Sequence, residues 1–124
     1  MQRQKGQALV EAALILPVVL AMLMAVLSFG LLFGAQLLIT NASREGARYG
    51  SLGKSGPDIQ NRVKDYLDDT QLDPGKVTFS VVGAGGASGS DVTVRLTYPV
   101  ELVIPVPGLP NPLNVTSQAT MRIE

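Results

Sequence analysis

Apolar and polar positions divide this chain into two regimes. From Ala12 through Ser43 no charged residue occurs, and most positions are apolar. From Arg44 onward charges return, and apolar residues recur at short regular intervals. The first regime predicts one long hydrophobic helix over residues 7–50. The stretch from Ala12 to Ile39 would measure about 42 Å at the α-helical rise, whereas a bilayer core needs about 30 Å. It is also longer than a secretory hydrophobic region of about 7–15 residues, and no small-residue cleavage site follows a short apolar core. The pattern therefore predicts a retained transmembrane helix that tilts or leaves the membrane and continues. Ala35, Leu38, Ala42, Gly46 and Tyr49 share one face at helical spacing, which suits a sheet packed against it. Thr40, Asn41, Arg44 and Arg48 form a more polar face. Gly50 is the expected stop, with Gly53 behind it.

The second regime, residues 51–124, predicts a small α+β domain. Pro57 opens a short helix over Asp58–Leu67, with Ile59, Val63 and Leu67 on one face. Asp68, Asp69, Pro74 and Gly75 end it and turn the chain. Lys76 to Val82 reads as a strand, and Gly83 to Ser90 as a flexible loop. Asp91 to Val100 alternates, with Val92, Val94, Leu96 and Tyr98 facing one way. Pro99 confines that strand to an edge, its own end or a bulge. Leu102 to Ile104 could prolong it, and the Pro-rich stretch 105–112 cannot be a regular element. Leu113 to Ile123 alternates again. A three-stranded antiparallel sheet with one short helix is the economical arrangement. So small a domain makes a thin core, and the outer end of the long helix is expected to complete it.

Composition narrows the function. Ten Lys and Arg residues balance ten Asp and Glu residues, so no nucleic-acid partner is indicated. There is no cysteine and no histidine. Disulfides and thiolate chemistry are excluded, and the commonest general base and metal ligand is missing. No catalytic residue, cofactor site or metal site is legible, and the reading is of a non-enzyme. Arg3 and Lys5 precede the apolar run, which places the N-terminus in the cytoplasm and the C-terminal domain outside the cytoplasmic membrane.

Within the apolar segment a few residues stand out. Glu11 is a lone carboxylate at its mouth, where unpaired charge at membrane depth costs about 3 kcal/mol on insertion scales. It either pairs with a positive partner in an assembly or sits solvated at the headgroup level. Pro17 removes a backbone donor and crowds the Ala13 carbonyl, so a kink or local unwinding is expected there. Gly30 with Gly34, and Ala21 with Ala25, have the small-residue spacing that lets another helix approach closely.

Other motifs fail on inspection. Gly53-Lys54-Ser55 lacks the first glycine of a phosphate-binding loop, since Arg48 stands there, and it follows a helix instead of a strand. The 83–90 loop has Ser88 where a dinucleotide fingerprint needs its third glycine. Asp65, Asp68, Asp69 and Asp73 lack calcium-loop spacing and read as a solvated helix end. The triplets at Asn41 and Asn114 match glycosylation sites by letter only.

Gly6 followed by Gln7-Ala-Leu-Val-Glu11 resembles the processing site of type IV pilins. The run from Gly6 to Pro17, together with Asn41-Ala-Ser-Arg-Glu-Gly-Ala-Arg-Tyr-Gly50, resembles TadE-like pilins of the tight-adherence (Tad) system. The likeness covers about residues 4–50, and Ala12 departs from it where many relatives carry an aromatic. The resemblance implies a leader of residues 1–6, cut by a prepilin peptidase between Gly6 and Gln7. Glu11 is then fifth in the mature chain. It implies assembly with copies of itself or other pilins into an adhesive extracellular filament. The new amine on Gln7 and the Glu11 carboxylate would attract strongly in a low-dielectric setting and could set the axial register of stacked helices. The competing class is a monomeric membrane-anchored binding module that recognises its target through the loops at 83–90 and 105–112.

Overall fold

The computed structural model describes residues 2–102, 108 and 112–124. Met1 and most of the Pro-rich stretch lie outside the described residues, as do Val103 and Ile104 of the strand extension considered above. Helix α1 runs unbroken over Gln2–Ser51. It is followed by α2 over Gly56–Asp68 and a 3-10 turn over Pro74–Lys76. Three strands complete the order: β1 Thr78–Val82, β2 Asp91–Val100 and β3 Leu113–Arg122. They form one antiparallel sheet in the order β1-β2-β3. The α+β architecture expected from the sequence is the one observed.

Local chemistry explains where the elements begin and end. Ser55 caps α2, its hydroxyl accepting from the Asp58 N–H at 3.5 Å, and Pro57 lies in the first turn. The missing N–H of proline costs nothing there, so α2 starts at Gly56 instead of Asp58. Lys76 and Val77 do not join β1. The Asp73 carboxylate accepts from the Gly75 N–H at 2.9 Å and holds the 3-10 turn, which delays the strand to Thr78. Gly50 does not end α1. The helix reaches Ser51, and the positive φ of Gly53 (83°) marks the chain reversal beyond it.

The sheet has two unlike faces. Val92, Val94, Leu96, Tyr98 and Val100 of β2 are buried on the inner one, with Val115 of β3 beside them. The outer face is a polar ladder. Thr93 meets Thr120 at 2.9 Å, Thr97 meets Thr116 at 3.1 Å, and Arg95 donates to Gln118 at 2.8 Å, each pair directly opposite in the register. That alternation matches the period-2 geometry of a strand with one solvated face. Pro99 fits in the central strand because β1 has already ended. Its last partner is Thr78 opposite Thr97, so Pro99 lies opposite Asn114 of β3 alone. It therefore sits on a local edge, where a missing donor is tolerated.

The inner sheet face is covered by the outer half of α1, with α2 packed alongside. The α1 face differs from expectation by a small rotation. Ile39, Ala42, Ser43 and Ala47 are fully buried and Ala35 nearly so, while Leu38 and Tyr49 lie half-buried at the margins. Gly46 and Gly50 set the closeness of the contact. A Cβ at Gly46 would lie 2.7 Å from a Val63 methyl and 3.2 Å from a Val94 methyl. One at Gly50 would lie 3.0 Å from both Ile59 and Val92. These two glycines admit α2 and β2 side chains against the helix backbone, which a larger residue would hold apart. Polar ties fix the register. The Gln36 amide donates to the Thr116 carbonyl at 3.2 Å, and the Ser43 and Ser117 hydroxyls meet at 3.3 Å. The Glu124 N–H donates to the Ser51 carbonyl at 3.0 Å, tying the end of the described chain to the end of α1.

Candidate functional site

The apolar half of α1 is the candidate site, and it stands clear of the folded domain. Every residue from Arg3 to Leu27 is exposed, and the next, Ser28, is the first buried one on the helix. Leu9, Leu14, Met22 and Phe33 are each about two-thirds exposed or more. Soluble monomers rarely show a contiguous apolar surface beyond a few hundred Å², so this stem needs a cover. Among the described residues, α1 is the one helix long and apolar enough to cross a membrane. Phe29 and Phe33 stack one turn apart, with ring centroids at 6.3 Å, and enlarge the apolar surface near the domain.

Each candidate residue of the processing motif and apolar segment lies on this stem. Gly6, Gln7 and Glu11 are exposed in the first turns of α1. Gln7 and Glu11 are four apart and so share a face, about 6 Å apart along the axis. Glu11 forms no ion pair among the described residues. The helix passes through Pro17 as continuous α-helix, so unwinding is not how this chain accommodates it. The lost Pro17 N–H leaves one bond of the ladder unmade at the Ala13 carbonyl. Ala21, Ala25, Gly30 and Gly34 are exposed, and an added Cβ at Gly30 or Gly34 would meet nothing within 4 Å. The small-residue positions are therefore open surface, unused in packing the domain.

A second feature has no signature in the sequence. Glu45 of α1 receives the Arg62 guanidinium of α2 at 3.0 Å, and Arg48 approaches the same carboxylate at 4.0 Å. With Tyr49, Leu52, Asp58, Asn61 and Asp65, these residues line an open groove of about 410 Å³ between the helices. The pair spans two elements and a turn, so no helical spacing announces it. It closes the α1–α2 contact from the solvent side. No group of His, Cys, Asp or Glu among the described residues is arranged to hold a metal ion.

A single exposed apolar helix long enough for a bilayer, rooted in a small α+β domain, is the architecture of a membrane-anchored protein. Comparison with known families makes this more specific: residues 6–48 match the family described as TadE-like protein. The matched span begins at Gly6 and ends at Arg48, so it covers the exposed stem and most of the part of α1 that packs against the sheet. With the apolar helix, the match supports a Tad-associated membrane protein. No curated protein gives a match, and neither does any solved structure.

Proposed function

We propose that this chain is a structural subunit of a Tad-type pilus. It is cut after Gly6, held in the cytoplasmic membrane by α1 with its C-terminal domain outside, and assembled through that helix into a surface filament that supports adhesion. The observation that carries the proposal is the coincidence of the TadE-like match over residues 6–48 with a stem whose apolar surface has no cover among the described residues. In the membrane the cover is lipid. In a filament it is the stems of neighbouring subunits, with Gly30 and Gly34 allowing close approach.

Glu11 supplies the selectivity. Cleavage converts the Gln7 amide nitrogen into a cationic amine. That amine, on the same chain or a neighbour, is the positive partner that the lone carboxylate lacks. In an apolar surrounding the attraction is several-fold stronger than in water, and a carboxylate left unpaired there is penalised. Pairing therefore favours chains stacked at one axial offset. The test is Glu11→Ala, scored separately for membrane integration and for recovery in sheared surface filaments. The expected result is normal integration with incorporation reduced at least tenfold. Normal incorporation would remove the charge-pairing mechanism.

A further inference from the structure

Where the stem meets the domain there is a recess of about 260 Å³. Leu31, Gly34 and Leu38 of α1, Leu72, and Tyr98 and Pro99 of β2 form its apolar walls, with Lys76 and Glu101 also lining it. Both charged side chains are exposed, and neither forms an ion pair among the described residues. A cation and an anion thus line one recess without a direct ion pair between them. Tyr98 is held in the wall, its hydroxyl accepting from the Asp73 N–H at 3.2 Å.

The level of this recess along α1 is informative. From Glu11 to Leu31 the helix rises about 30 Å, the thickness of a bilayer hydrocarbon core. If the lone carboxylate marks one boundary of the membrane, Leu31 marks the other. The recess then opens at the headgroup layer of the outer leaflet, with its apolar walls continuous with the stem.

We infer that the recess binds the headgroup of a zwitterionic phospholipid with a primary ammonium. The Lys76 ammonium meets the lipid phosphate, Glu101 accepts from the lipid ammonium, and Leu31, Leu38 and Leu72 contact the glycerol and upper chain. The paired charges select the ligand. An anionic headgroup without an amine satisfies Lys76 and leaves Glu101 facing a phosphate. A quaternary ammonium carries no N–H to donate to Glu101. The inference rests on α1 spanning the membrane.

The test uses the full chain, reconstituted in bilayers of equal parts phosphatidylethanolamine, phosphatidylcholine and phosphatidylglycerol. Native mass spectrometry reads the lipids that leave with the protein, and alkaline extraction of the same sample reads integration. The expected result is one retained phosphatidylethanolamine, enriched about threefold over the other two, the scale of an exposed ion pair. Glu101→Gln should abolish the preference over phosphatidylglycerol, and Lys76→Gln should reduce retention of both. Circular dichroism checks that each variant folds. An integrated protein without enrichment overturns the inference and leaves the membrane span standing, whereas a protein that fails to integrate overturns both. Enrichment that survives both substitutions, or ejection of protein pairs without lipid, assigns the recess to another occupant and also overturns it.

Discussion

At position 46 the chain forgoes a side chain in the middle of a helix, where glycine is disfavoured relative to alanine by about 1 kcal/mol. The compensation is contact. Val63 and Val94 approach the backbone to distances that a methyl group could not share. Gly46→Ala would recover helix propensity but overpack the junction of α1, α2 and β2, at about 1–3 kcal/mol. We expect a net loss of about 1 kcal/mol, seen as a fall in Tm of roughly 4–8 °C. Gly30→Ala is the matched control, since its Cβ would meet nothing within 4 Å, and it should not lower Tm in detergent. The Glu45–Arg62 pair is a weaker contributor. Arg62 is about half exposed, and pairs of that kind contribute well under 1 kcal/mol. Glu11 follows a different logic, because its environment is decided by the surroundings of the stem and not by the fold. Its presence was legible from the sequence as the lone carboxylate at the start of a long uncharged run. The Glu45 contact was not, because its partner lies on another helix.

The helix α1 belongs to two environments at once. Its first half is exposed apolar surface, and its second half supplies Ile39, Ala42, Ser43 and Ala47 to the domain core. A fragment of residues 51–124 would lose that wall and leave Val92, Val94 and Leu96 open to water. We expect it to remain unfolded by circular dichroism and to be degraded in limited proteolysis. A fragment of residues 30–124 keeps the wall and should fold. A stable 51–124 product would contradict the structure. The strands were legible because β2 and β3 alternate with period 2, and β2 has the bounds read from the sequence. The face of α1 was read slightly rotated, because small residues surround the buried position at Ile39 and periodicity alone could not tell its flank from its centre. Lys76 misled for a different reason. It follows the turn residues directly, and the Asp73 cap together with the backbone bonds of the 3-10 turn holds the chain out of the strand.

For the molecule as a whole, the proposed processing step gives a direct prediction. Protein recovered from cells with an active prepilin peptidase should begin at Gln7 by intact mass, and a full-length Met1 form in such cells would end the pilin reading. Residues 2–6 are part of α1, so Gly6 lies within a helix, and a peptidase making the proposed cut would have to open its first turns to reach the bond. The proposed cut rests on a sequence motif of six residues, Gly6 to Glu11. The recess beside Leu31 was not legible in the sequence, because its walls come from the stem, the segment after α2 and the end of β2, brought together only by folding.

No hinge separates the stem from the body: one uninterrupted helix carries the exposed apolar stem at one end and is buried against the sheet at the other. A load drawn along the stem is therefore carried directly into the domain, against the lateral contacts of Ile39 and Ala42 and the Gln36 and Ser43 ties to β3. Such contacts yield together in shear, without the gradual extension of a tether. Stretching by optical tweezers should record a single abrupt rupture with little preceding compliance, and weakening the Gln36–Thr116 tie by Gln36→Ala should lower the force at which it occurs.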